Sequence, residues 1–232
     1  MRLNKFLSES GICSRRQADK LIENGEIIVD GMIADLGVQV DENSIVVYKG
    51  NRIKPLKKSV IYAYNKPIGL VCTSKEADKD SIYNSVNFPI HVNYVGRLDK
   101  DSQGLLLLTN DGDLANSIQK SVNNHEKEYQ VRVNKDITED FIKKMSEGVP
   151  ILDTVTKPCK IKKNGARTFN IILTQGLNRQ IRRMCDYFNY KVVYLKRVRV
   201  LNIKLKDMKP GEYREITADE EKELRRLVNA KG

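Results

Sequence analysis

Four consecutive leucines, Leu105 to Leu108, constrain this chain more than any other stretch. The run is too short for a helix and is followed by the turn signal Asn110-Asp111-Gly112, so it predicts a strand buried on both faces. Leading into it is Gly96-Arg97-Leu98-Asp99-Lys100-Asp101-Ser102-Gln103-Gly104. A glycine at each end lets this loop bend sharply and leaves room for a ligand. A carboxylate held there, against a buried strand, is placed to react as well as to be solvated. On pattern alone two readings of Asp99 stand: a reactive group, or a surface carboxylate paired with Arg97 or Lys100.

The preceding chain divides in two. Leu3, Phe6 and Leu7 have helical spacing, and Gly11 closes that short helix. Ser14 and Gln17 form the ends of a capping box for a second helix, whose apolar face is Ala18, Leu21 and Ile22 and which ends at Gly25. Ile27-Ile28-Val29, the Asp30-Gly31 turn and Met32-Ile33 predict a hairpin, and Ile45-Val46-Val47 a further strand. Arg2, Lys5, Arg15, Arg16 and Lys20 are the basic residues of the two helices. They are either a solvated face or a surface for an RNA backbone. Lys54 to Ser59, charged and containing a proline, is the candidate linker, which sets the domains at 1–58 and 59–232.

Beyond the linker, Val60 to Tyr64 begins a strand that runs into Asn65-Lys66-Pro67, where the missing amide hydrogen of Pro67 forces a turn or an edge. Residues 74–87 are polar, with a short helix expected near Ser81 to Val86, and 112–118 reads as another helix. Tyr129, Val131 and Val133 alternate as in a strand with one buried face. Thr138 starts a helix with Phe141, Ile142 and Met145 inward, stopped by Gly148-Val149-Pro150. Its Lys144-Met145-Ser146 is similar to a tRNA synthetase signature, but no companion nucleotide motif accompanies it. Phe169 to Thr174 is a strand, and Ile181, Met184, Cys185 and Phe188 mark the inward face of the helix after it. Thr217 caps a last helix that packs on the sheet through Leu224, Leu227 and Val228.

Charge narrows the partners. The 232 residues carry a net charge of +11, which favours a polyanion, with nucleic acid ahead of a membrane surface. Arg179, Arg182 and Arg183 lie on the outer side of the helix after Phe169, and Lys191, Lys196, Arg197 and Arg199 follow with Asp186 the only acid in that span. So dense a patch is expected to meet phosphate. Four scattered cysteines and two isolated histidines argue against a zinc site or a disulfide framework. The first residues lack the apolar core of a signal peptide, and the cytoplasm is the expected compartment.

Three motifs carry a resemblance. Gly96-Arg97-Leu98-Asp99 with Gly104-Leu105, then Glu128-Tyr129, then Gly176-Leu177-Asn178-Arg179-Gln180-Ile181-Arg182-Arg183-Met184, closely resemble those of RNA pseudouridine synthases of the ribosomal RNA branch. Within that branch they are most similar to the F subtype of the enzymes that act on the large ribosomal RNA. Arg2-Leu3-Asn4-Lys5, Gly11 to Arg16, Gly25 and Val29-Asp30-Gly31 resemble an S4-type RNA-binding domain. The resemblance implies an α+β protein: a small S4-like module, then a catalytic domain with a mixed, mainly antiparallel sheet flanked by helices. It implies Asp99 as nucleophile, Tyr129 stacked on the target uracil, and Arg182 paired with Asp99, since a guanidinium fixes a carboxylate and favours its anionic form. Arg97 would fill the space left by the flipped base or hold the backbone around it, and Lys66 and Pro67 would neighbour the site. It further implies a reaction with no cofactor or metal, ribosomal RNA of the large subunit as partner with tRNA a second candidate, and no obligate protein partner. The rival readings are a non-catalytic RNA-binding or ribosome-assembly factor and an S4-bearing synthetase.

Overall fold

The computed structural model describes residues 1–56, 58–73, 78–120 and 124–229. Its first unit is built from α1 (Leu3–Glu9), α2 (Arg15–Glu23), β1 (Ile27–Val29), β2 (Met32–Ile33), β3 (Val46–Tyr48) and β4 (Asn51–Ile53). The strands pair antiparallel in the order β2-β1-β3-β4. The capping box forms as the spacing predicts: the Ser14 side chain accepts from the Gln17 amide, and the Gln17 side chain accepts from the Ser14 amide. Leu3, Leu7, Ala18, Ile22, Ile27 and Val46 close one small core between helices and sheet. The segment between β4 and residue 60 holds no helix or strand among its described residues, Lys57 lying outside them.

The larger unit runs through β5 (Ile61–Lys66), α3 (Ile82–Ser85), β6 (Asn93–Val95), β7 (Gln103–Thr109), α4 (Gly112–Gln119), β8 (Lys127–Val133) and α5 (Glu139–Glu147). It continues with the hairpin β9 (Pro150–Ile151) and β10 (Thr154–Val155), then β11 (Lys160–Gly165), β12 (Thr168–Leu173), α6 (Gln180–Tyr187), β13 (Val192–Val200), β14 (Ile203–Lys204), β15 (Tyr213–Glu215) and α7 (Ala218–Asn229). The main sheet has the order β11-β12-β8-β13-β7-β5-β15, with β14 on β13 and β6 on β7. Every pairing in it is antiparallel except β13 with β7. The expected short helix after Ser81 is present, while residues 74–77 of that loop lie outside the described ones.

The leucine run sits where its pattern demands. Leu105 and Leu107 enter a core under α4 and α7, and Leu106 and Leu108 enter a second core on the opposite face with Tyr62, Tyr64 and Leu98. All four are fully buried, each stabilising the fold by about 2 kcal/mol in gross transfer terms. On that second face the sheet is covered in two halves. Segments between residues 70 and 98 cover the β5–β7 half, and α5 and α6 cover the β8–β12 half. Tyr129 packs against both clusters and so marks the seam between them.

The two units touch. Lys5 reaches Asp113 at 2.7 Å, the Asn110 amide donates to the Glu9 carbonyl, and the His91 amide donates to the Gly11 carbonyl at 2.9 Å. Lys5, read from the sequence as part of a basic RNA-facing surface, is thereby committed to the neighbouring unit and to Glu9. No helix among the described residues is long and apolar enough to cross a membrane.

Candidate active site

The loop carrying Asp99 joins β6 to β7 and is fixed from below. Leu98 anchors it in the apolar core, while Gly96 and Gly104 take φ of +71° and +109°. At Gly104 this freedom is obligatory, because a Cβ would lie 2.2 Å from the Arg197 carbonyl oxygen. The parallel pairing of β7 with β13 depends on that approach.

Lys66, at the end of β5 and 0% exposed, supplies the second constraint. Its ammonium donates to the carbonyls of Pro67 (3.0 Å), Asp99 (3.1 Å) and Ser102 (2.8 Å), so all three of its hydrogens have acceptors. Burial pulls its pKa below the ordinary lysine value, against the upward pull of Cys72, Asp101 and Asp99. A lysine this deeply placed acts as a staple across the Asp99 turn. The resemblance implies Lys66 and Pro67 only as neighbours of the site, and the structure makes Lys66 the support of the loop.

From above, α6 closes over the loop. Arg179 sits just before the helix in the left-handed region, φ 50°, and forms a two-pronged pair with Asp101 at 3.1 and 2.9 Å. The same guanidinium lies 3.7 Å from the Asp99 carboxylate. Arg182, one turn further and largely buried, donates to the Asp101 carbonyl at 2.9 Å, to Ser102 Oγ at 3.3 Å and to the Val192 carbonyl at 3.3 Å. Its Nε is 3.4 Å from the Asp101 carboxylate. The expected Arg182–Asp99 pair is therefore replaced: within 4 Å, Arg182 reaches Asp101 and Arg179 reaches Asp99. Arg182 is tied down by backbone carbonyls and largely buried, whereas Arg179 is partly exposed. Hydrogen bonds from Arg179, aided by the Arg182 charge, hold the Asp101 carboxyl below its ordinary pKa.

Tyr129 joins this arrangement through the sheet. Lys66, Gly104, Arg197 and Tyr129 are register partners on β5, β7, β13 and β8 in turn. Tyr129 is thus two strand spacings, roughly 10 Å, from the strand that ends the Asp99 loop. Arg197 between them is 3% exposed and donates from Nε to the Leu105 carbonyl at 2.7 Å. Lys127, two residues before Tyr129 on the same strand, is pulled down to about 8 by burial and by the Arg197 charge. The site is a half-buried carboxylate with the Arg179 guanidinium 3.7 Å away, Lys66 under its backbone and Tyr129 two strands along the sheet.

The basic patch expected after Phe169 comes apart in three dimensions. Arg197 is interior, Arg179 and Arg182 hold Asp101, and Arg199 is bridged to Glu126 and Glu128 at 3.0 Å each. These acids lie outside the sequence span, which is why the patch reads as unneutralised. Arg183 donates to the Asn178 carbonyl and side chain. Arg97 is exposed on the Asp99 loop, and Arg2, Arg15, Arg16 and Lys20 are exposed on the first unit, apart from the carboxylate. Asp101 and Ser102 do not stand out in the sequence. Their signal, a second acid two residues after Asp99, is visible only beside the arginines that meet it.

Residues 60–187 match the RNA pseudouridylate synthase family and residues 1–46 match the S4 domain. The chain is 51% identical over 230 residues to the dual-specificity RNA pseudouridine synthase RluF of Escherichia coli K12, covering 98% of this chain and 79% of that one. It is 38% identical to an uncharacterized RNA pseudouridine synthase of Aquifex aeolicus, covering 98% of each. A crystal structure of a pseudouridylate synthase superposes with a TM-score of 0.70 at 29% identity, covering 97% of this chain and 99% of that one.

Proposed function

This chain belongs to the RNA pseudouridylate synthase family and is an RNA-modifying isomerase, and from that premise we propose that it converts a specific uridine of 23S ribosomal RNA to pseudouridine with Asp99 as nucleophile. The reaction breaks the N1–C1′ bond, turns the uracil and forms a C5–C1′ bond; C5 gives up a proton, N1 gains one, and the overall composition is unchanged. Nothing in that sequence of steps calls for an external group donor.

The observation that carries the role of Asp99 is its fixation from both sides. Lys66 staples the backbone of its turn and Arg179 lies 3.7 Å from its carboxylate. A nucleophile so held needs little reorganisation to attack, which is where positioning lowers a barrier. Tyr129, at the seam between the two cores, is in reach of a base turned out of its helix, and stacking there offsets part of the few kcal/mol that flipping costs. Arg182 positions rather than reacts: it holds Asp101 and Ser102, which continue the same turn. Arg97, exposed beside Asp99, contacts the RNA around the vacated position.

Residues 1–58 form the RNA-holding module and 59–232 the catalytic domain in this proposal, with Arg2, Arg15, Arg16 and Lys20 on phosphate and Arg183 as an outlying contact. The Escherichia coli relative is named for dual specificity, which supports testing a second RNA, and tRNA is the candidate. The cytoplasm is the proposed compartment.

The test is pseudouridine mapping on ribosomal RNA and tRNA from cells lacking the gene. One site in 23S RNA should disappear and return with the wild-type gene. Persistence of every site in both RNA classes would overturn the substrate assignment.

A further inference from the structure

The first unit has one face that the reaction leaves idle. α1 and α2 cover the inner side of its sheet, with Ala18 and Ile22 against Ile27 and Val46. The outer side carries an apolar row in register across the strands, Ile33, Ile28 and Val47, ending on Arg52 at the far edge. Ile33 is 68% exposed, and Met32 and Leu36 beside it are 73% and 54% exposed. β2 is also a sheet edge with unpaired backbone groups. Edges of this kind are commonly shielded by lysine, and this one is not. Residues 21–48 contain six acids (Glu23, Glu26, Asp30, Asp35, Asp41 and Glu42) and no Lys or Arg, in a chain of net charge +11. All six are exposed, and none enters an ion pair among the described residues.

We propose that this face docks a basic, apolar-bearing segment of a protein bound to the substrate RNA, an inference that rests on the ribosomal reading above. An apolar surface of this extent rimmed by polar groups is the form of a protein interface. The carboxylates of this stretch, most of them in the loops that join and flank its strands and none ion-paired among the described residues, repel phosphate and attract a cationic partner. A second copy meeting the same face across a two-fold axis would set acid against acid. The module is two-sided: Arg15, Arg16 and Lys20 on the helix layer are left for RNA, and the sheet side takes the protein that accompanies it.

The experiment compares binding of the full-length protein to large ribosomal particles from cells lacking the gene with binding to the same RNA stripped of protein. The variants are Ile33→Ser and, separately, Glu26→Gln with Asp35→Asn, all at exposed positions. Wild type should bind the protein-bearing particle more tightly than the stripped RNA. Ile33→Ser should lose about tenfold on the particle and stay within about twofold of wild type on stripped RNA. The charge variant should lose the part of particle binding that salt weakens. Equal losses on both substrates would assign the face to RNA, and undiminished particle binding would leave it without a partner. Wild-type self-association in sedimentation, abolished by Ile33→Ser, would assign it to a second copy. Each of those three results overturns the proposal. Because the readout is binding, failure of the ribosomal substrate assignment shows separately, in the pseudouridine map.

Discussion

The Lys66 ammonium, with no solvent exposure, donates to the backbone carbonyl of Asp99 at 3.1 Å. A buried cation is costly unless its hydrogens are satisfied, and here carbonyls satisfy all three while its charge lies under a turn bearing Asp99 and Asp101. The side chain therefore holds the Asp99 turn in shape through backbone carbonyls alone. Lys66→Met keeps much of the volume and removes the staple. It should lower single-turnover rate by about 100-fold, as small misplacements of reacting groups do, with RNA affinity within about twofold of wild type. A parallel loss of both would make Lys66 a general stability residue.

Arg182 and Asp101 give a second prediction. Arg182→Met removes the donors to Asp101 and Ser102 and should lower turnover by about 100-fold or more with little change in affinity. Asp101→Asn leaves Arg179 without its two-pronged partner and frees it toward Asp99, so its loss of turnover should be smaller, about tenfold. Rate and affinity measured on the same RNA distinguish positioning from phosphate binding. Equal loss of both in Arg182→Met would identify a phosphate contact.

Gly104 and Gly112 form an internal comparison. Gly104→Ala puts a Cβ 2.2 Å from the Arg197 carbonyl at φ +109° and should destabilise the protein by at least about 2–3 kcal/mol. Gly112, in the first turn of α4 with open space around it, should accept alanine at no loss. Urea denaturation reads both.

Glu220 sets part of the acid limit. Arg214 hydrogen bonds at 2.6 and 2.9 Å, with help from the Thr217 amide and Lys206, hold its carboxyl down at about 2, from an ordinary 4.5. Because the folded value is the lower one, its contribution is fully present above pH 4.5 and fades as pH falls toward 2. Glu220→Gln should destabilise the protein at pH 7 by about 1–3 kcal/mol and flatten the acid limb of its stability profile. Thermal melts across pH 2–7 test both the size and the direction.

Elements with strong local rules were legible in the sequence. The leucine run, the Ser14–Gln17 box and the inward stripe Ile181, Met184 and Cys185 each behave as their spacing requires. Two-residue strands such as β9, β10 and β14 carry too little pattern to be read. The site was legible in its members and not in its pairings. Arg182 meets Asp101, 81 residues earlier, and Arg199 meets Glu128, 71 residues earlier, so neither partner is visible locally. Arg197 reads as part of a surface patch because arginine is assigned to solvent, and Lys66 reads only as a neighbour of the site; the closed sheet buries both.

Asp99→Asn, assayed in single turnover on the RNA segment identified by mapping, tests the nucleophile most directly. The carboxamide preserves the size of the side chain and removes its charge. Turnover should fall by at least about 10⁴-fold while RNA affinity stays within about twofold. Retained turnover would contradict the assignment of Asp99 and move the chemistry to another group.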